Sequence, residues 1–291
     1  MEIPYTNSAR PDTGLWNAKI GIWLFLASEV MLFGGLFSAY IFLRLDALPG
    51  YWPHGLLNVP VGTMNTAILI ASSVTVVLAW AALKMRQFGK YRFYMAITIV
   101  CGIIFLAVKL SYEWPDKFQH FGAYIRQDRL DKYEQWLGNN YLQEKGLEPR
   151  VEITGHLHNH EAVNDPNIKE YEVQVDQIYG DPTNPESDRP HFWPAPKSDK
   201  IARIEKEDVE HAEMFVPKHN TFFSSYFTIT GLHGLHVLGG VIIFIYMMLP
   251  ASTRLYRRNP EHLANRVEVA GLFWHFVDLV WIFVFPLFYL L

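Results

Sequence analysis

Five stretches of this chain are long and apolar enough to cross a hydrocarbon layer, and they restrict the fold to a helical membrane bundle. They run Ile20–Leu43, Val61–Leu83, Tyr94–Leu110, Phe222–Leu249 and Val269–Leu290. A lipid core takes roughly 20 helical residues to cross. No water is present there to solvate the peptide groups, so each segment must satisfy its own backbone. The third stretch is the shortest, and Lys109 at its end must snorkel or pair. Met1–Asn17 is polar and contains prolines, unlike a cleaved leader, so the first span is expected to stay in the mature protein.

Charge divides the chain a second time. The 291 residues carry a net charge of −4, yet 22 of the 29 acidic and 13 of the 25 basic residues lie between Glu113 and Asn220. That block is net −9 and the remainder is +5. An acidic aqueous block set among basic-flanked spans gives no support to nucleic-acid binding. Cys101 is the single cysteine, which excludes an intrachain disulfide and any thiolate metal cluster. The expected architecture is therefore an all-α, polytopic bundle of five transmembrane helices with a large extramembrane insertion between the third and fourth. Its parts are residues 1–112, 113–220 and 221–291. Lys84, Arg86, Lys90 and Arg92 occupy one short connection, and Arg254, Arg257, Arg258 and Arg266 another. Positive-inside bias puts both connections and the N-terminus in the cytoplasm, and the acidic block and C-terminus outside.

Within the acidic block, apolar spacing predicts a helix over Tyr124–Leu142 and another over Ser198–Met214, capped by Ser198. Tyr171–Val175 alternates as a strand, and Asp181–Pro196 is proline-rich and irregular. His156, His158 and His160 alternate in sequence, so on a strand they would share a face and could hold copper or zinc. Alternation of this kind also arises by chance in a polar loop.

Ionisable residues inside the spans are the strongest functional signal, because they are costly in lipid and usually face a bundle interior. Glu29 lies in the first span. His233 and His236 share a face of the fourth, beside Gly231, Gly234, Gly239 and Gly240, which leave room for a neighbouring helix. Glu268 opens the fifth span, His275 and Asp278 lie three residues apart within it, and Glu113 ends the third beside Trp114. Spacing alone leaves three readings open. The histidines could ligate a metal or haem, the acids and histidines could relay protons, or they could pair with one another to fix helix packing.

At these residues the chain resembles subunit III of the haem–copper oxidases. Ser28-Glu29-Val30-Met31-Leu32-Phe33 is similar to the family's first shared helix, and Met64-Asn65-Thr66 to the opening of the next. Tyr112-Glu113-Trp114, then Thr230 through Val237, then Glu268 with Trp274-His275-Phe276-Val277-Asp278 and Trp281 follow in the family's order. The resemblance implies a bacterial inner-membrane subunit with no catalytic residue, no haem and no copper, those groups belonging to subunits I and II. It implies a chain that packs beside subunit I, binds phospholipid and supports proton uptake, with Glu29, His233, His236, Glu268, His275 and Asp278 as buried polar supports. The family spans a cytochrome c oxidase, a quinol oxidase and an accessory protein of nitric oxide reductase. Outside it, a stand-alone haem or ion-transporting protein would share the same polar residues. The acidic insertion has no counterpart in the resemblance. Its charge suits a basic partner such as cytochrome c, or contact with another respiratory complex.

Overall fold

The computed structural model describes residues 17–47, 57–115, 120–126, 128–129, 132, 152–157, 168–179, 201–214 and 221–290. Six α-helices appear among them: α1 (Asn17–Asp46), α2 (Val59–Lys84), α3 (Phe88–Val108), α4 (Thr221–Met248), α5 (Pro250–Arg258) and α6 (Pro260–Phe285). Five helical segments are long and apolar enough to cross a membrane: Ala18–Asp46, Val59–Lys84, Phe88–Glu113, Thr221–Met248 and Pro260–Leu290. All five expected spans are present. The third and fifth are longer than hydropathy alone suggests, because both continue as π-helix, over Lys109–Glu113 and Pro286–Leu290. The fifth also starts at Pro260, where Asn259 caps it by accepting the His262 N–H at 3.1 Å.

Helix α6 is the centre of the bundle, packing against α1, α2 and α4. Gly240 lets the Trp274 ring of α6 lie where a Cβ on α4 would stand, 2.6 Å from the nearest ring carbon. Helix α1 touches the rest by a narrow seam, with Leu26, Phe33 and Tyr40 buried at every seventh position. Its other faces present Leu24, Met31, Phe42 and Leu45, each more than two-thirds exposed and apolar, as suits contact with lipid or another membrane subunit.

The turn between α2 and α3 closes with a positive φ of 60° at Arg86. The Gln87 N–H reaches Ala82 O at 2.8 Å and the Arg86 N–H reaches Leu83 O at 3.0 Å, the two bonds of a Schellman cap. Glycine is the residue that adopts this conformation without strain. Arg86→Gly should therefore stabilise the bundle by up to about 1 kcal/mol, read as a raised thermal midpoint. The Tyr256 hydroxyl donates to the Arg86 carbonyl, a contact the substitution leaves intact.

Between α3 and α4 the described residues form a sheet, which corrects the all-α expectation for this part of the chain. Its strands are β1 (His120–Ile125), β2 (Glu152–Leu157), β3 (Glu170–Tyr179), β4 (Ile201–Glu205) and β5 (Val209–Met214), in the order β4-β3-β2-β1-β5 with all neighbours antiparallel. Strands β4 and β5 lie at opposite edges, yet only the 3₁₀ turn Lys206–Asp208 joins them. The sheet must therefore curl about one face, bringing the end of β4 close to the start of β5. Phe121, Ala123, Ile125, Ile153, Leu157, Tyr171, Val173, Ala202 and Ile204 fill its interior at alternate positions. Burial pushes the Tyr171 phenol above its ordinary range.

The strand expected at Tyr171–Val175 lies within β3. Over Ser198–Met214, where a helix is expected, residues 201–214 form β4, the turn and β5 instead, and the Ser198 cap lies outside the described residues. Ala202 and Ile204 point inward while Ile201, Arg203 and Glu205 point outward, so a period of two governs. Tyr124 and Ile125, expected to open a helix, end β1 because they pair with β5. Asp208 ties the corner in place. Its carboxylate receives Lys132 at 2.9 Å and its carbonyl receives the Arg126 N–H at 2.8 Å. Asp208 and Glu205 hold the Lys132 ammonium well above the usual lysine range. This tie is present at neutral pH and weakens only as pH rises through that raised value.

Candidate functional site

Every ionisable side chain singled out in the spans lies among α1, α2, α3, α4 and α6, and most have a partner on another helix. Glu29 of α1 meets His236 of α4, with Oε2 2.9 Å from Nε2. His236 Nδ1 lies 2.7 Å from the Leu232 carbonyl. A carbonyl only accepts, so Nδ1 must donate, and the Nε2–Oε2 contact shares one proton between acid and imidazole. Phe33 packs edge-on against the ring and Phe273 stacks on it. Both nitrogens of His236 thus make hydrogen bonds within the bundle.

His275 of α6 bonds across to α2, with Nδ1 2.6 Å from Ser73 Oγ. It pairs with Ser73 and not with Asp278, although the two share a side of α6. Two further rungs run between the same helices, Trp274 Nε1 to Ser72 Oγ and Trp281 Nε1 to Thr66 Oγ1, each 2.9 Å. Apolar helices gain little from burial against one another in lipid, so such rungs and close packing fix their register. Ser73→Ala should cost about 1–3 kcal/mol by stranding the His275 nitrogen, seen as a lower denaturation midpoint with no loss of cofactor from the assembled complex. Glu268, half-buried, pairs with Lys19 of α1 at 2.7 Å.

The end of the bundle nearest the sheet holds a buried charge cluster. Lys109 and Glu113 are 4 % and 2 % exposed, an i, i+4 pair 2.8 Å apart on the π-helical turn that ends the third span. Tyr226 of α4 donates to Glu113 Oε1 at 2.6 Å, and Tyr289, from the π-turn after α6, also donates to that oxygen. Lys109 donates to both phenols and lies 4.6 Å from the centroid of the Trp281 ring. A buried pair is tolerable only when further bonds satisfy it, and here two phenols and an aromatic face do so. Sequence reasoning singled out Glu113 and noted that Lys109 needed a partner. Nothing in the sequence signalled Tyr226, Tyr289 or Ser73.

His233 and Asp278 are also buried, at 1 % and 5 % exposure, His233 between Phe105 and Trp281. At the opposite end of the bundle, a groove of about 500 Å³ opens between α1, α4 and α6. Ile22, Phe25 and Ile243 line it, and Lys19, Asn265 and Arg266 also border it. Among the described residues no three His, Cys, Asp or Glu side chains gather as a metal site. His156 lies on β2, but its side chain falls outside the described residues, as do His158 and His160.

Sequence comparison places this arrangement among known proteins. The family model described as cytochrome c oxidase subunit III matches residues 12–119 and 205–291, more than half of the chain. The chain is 24% identical to cytochrome c oxidase subunit 3 of Alkalihalophilus pseudofirmus, over 94% of this chain and 87% of that one. It is 22% identical to cytochrome bo(3) ubiquinol oxidase subunit 3 of Pseudomonas aeruginosa, over 100% and 92%. It is also 22% identical to a heme-copper oxidase subunit I+III of Aeropyrum pernix, over 94% of this chain and 22% of that longer one. The matched segments contain all five spans, with their buried acids and histidines, and exclude most of the sheet. The chain belongs to the cytochrome c oxidase subunit III family and is a multi-pass membrane subunit of a haem–copper oxidase complex.

Proposed function

We propose that the chain is a non-redox subunit of a proton-pumping terminal oxidase, bracing subunit I, holding lipid and supporting proton uptake, while haem and copper stay in the partner subunits. The observation that carries this reading is the Glu29–His236 pair. An imidazole with one nitrogen on a carbonyl and the other on a carboxyl group is suited to helix packing and proton sharing. The subunit I+III relative from Aeropyrum pernix supports packing beside subunit I, since its name joins the two subunits in one protein. The groove beside Lys19 and Arg266 suits a phospholipid, with acyl chains against its apolar wall and an anionic headgroup near the two cations.

In this reading the chain sits in a bacterial inner membrane with its basic connections and N-terminus in the cytoplasm, and the acidic sheet segment and C-terminus outside. Cytochrome c is favoured as electron donor, because a net −9 outside the membrane steers a basic protein to the complex. A quinol donor is the second reading, supported by the ubiquinol oxidase relative from Pseudomonas aeruginosa. Purification through a tag on this chain tests both. Haem- and copper-bearing subunits should co-purify, and the complex should oxidise reduced cytochrome c with a rate that falls as salt rises. Oxidation of quinol alone would establish the second reading. Recovery of the chain with no haem- or copper-bearing subunit would overturn the assignment to an oxidase.

A further inference from the structure

Two short connections meet at the end of the bundle opposite the sheet. Met85–Gln87 joins α2 to α3, while α5 lies between α4 and α6 with Leu249 and Asn259 as its links. The Tyr256 ring of α5 stacks on Phe88 at 4.5 Å, and its hydroxyl donates to the Arg86 carbonyl at 2.9 Å. The Tyr91 hydroxyl donates to the Met247 carbonyl at 3.0 Å. These contacts fasten the α2–α3 turn against the end of α4 and against α5, making one rim. Lys84, Arg86, Lys90 and Arg92 are exposed on its first part, and Arg254, Arg257 and Arg258 on its second. Residues 84–92 and 249–259 contain no acid to set against these cations, and Glu261 is the nearest in sequence.

Helix α5 has an apolar side, but the bundle uses it. Ser252 is buried, and Leu255 and Tyr256 pack on the core, so the three arginines stand on the outward face. A free interfacial helix lays its apolar side into lipid; this one offers charge outward instead. The connections are too short to lift the cations more than about one helical turn, roughly 5 Å, beyond the spans. That depth is the headgroup layer. Large apolar side chains stand among the cations, with Phe93 64 % and Met85 60 % exposed. We propose that this rim binds anionic phospholipid, its phosphates on the arginines and lysines and its acyl chains against Phe93 and Met85. A lipid matches both kinds of side chain at once, whereas an acidic protein surface matches the cations alone. Basic clusters beside a membrane span attract anionic lipid, each cation adding to the affinity. The guanidinium fork also suits two phosphate oxygens together. This site is separate from the groove beside Lys19 and goes beyond the lipid assigned there.

Photoaffinity labelling of the intact complex in phosphatidylcholine nanodiscs tests this. The discs carry a trace of phosphatidylglycerol or of phosphatidylcholine, each with a diazirine near the headgroup, and mass spectrometry locates the labelled residues. Lys84–Arg92 and Arg254–Arg258 should take up the phosphatidylglycerol probe about fivefold more than the phosphatidylcholine probe. The preference should shrink as salt rises. Arg254→Gln, Arg257→Gln and Arg258→Gln together should bring it close to parity at α5. Equal labelling by both probes in the unmodified complex overturns the proposal. Protection from both overturns it too, and means that a protein covers the rim. So does a preference that the triple variant leaves unchanged. If the variant does not assemble, the salt series on the unmodified complex decides, because a preference indifferent to salt does not come from these charges.

Discussion

Lys109→Met should destabilise the bundle by roughly 3–5 kcal/mol, the cost of leaving one member of a buried ion pair without its partner. The substitution keeps most of the side-chain volume, so the loss measures charge and not packing. Glu113 would remain at 2 % exposure with two phenols as its only donors among the described residues. Combining it with Glu113→Gln should recover most of the loss, since a neutral amide can still accept from Tyr226 and Tyr289. A denaturation series in mixed detergent micelles measures both variants. A single-variant loss under about 1 kcal/mol would place the pair in the class of solvated ion pairs.

Gly240→Val should cost about 1–3 kcal/mol or more by forcing α4 away from α6. A Cβ at this position would stand 2.6 Å from the Trp274 ring, which Ser72 and Phe244 hold in place. Gly239→Val is the control, because nothing lies within 4 Å of a Cβ there. It should change stability by no more than about 0.5 kcal/mol. The same midpoint measurement separates the two adjacent glycines, and equal losses would contradict the packing described.

The spans were legible because an apolar run of twenty residues has one stable form in lipid, whatever surrounds it. Their partners were not, because pairing between helices is a long-range property. Glu29 and His236 are 207 residues apart in sequence. The i, i+3 spacing of His275 and Asp278 suggested a pair, yet the imidazole turns to Ser73 on α2. Of the four glycines around the fourth-span histidines, Gly240 is the one where an added Cβ would stand within 3 Å of another side chain. The equally tight Gly62 and Gly102 went unremarked. Lys109 was legible in part, since a lysine in an apolar run demands a partner, and Glu113 is one helical turn away. The sheet was the hardest part. Short strands such as Ile201–Glu205 carry charged outward residues and an alanine, a composition that suits a helix equally well. Pairing with β3 decides between the two.

Metal analysis and an optical spectrum of this chain, separated from the purified complex in mild detergent, examine most directly whether its membrane-embedded acids and histidines act without holding a redox centre. The expected outcome is no iron, no copper and no haem absorption in the separated chain, with the full complement retained by the remaining subunits. Iron or copper travelling with this chain at about one atom per molecule, and lost on His236→Gln or His275→Gln, would contradict it.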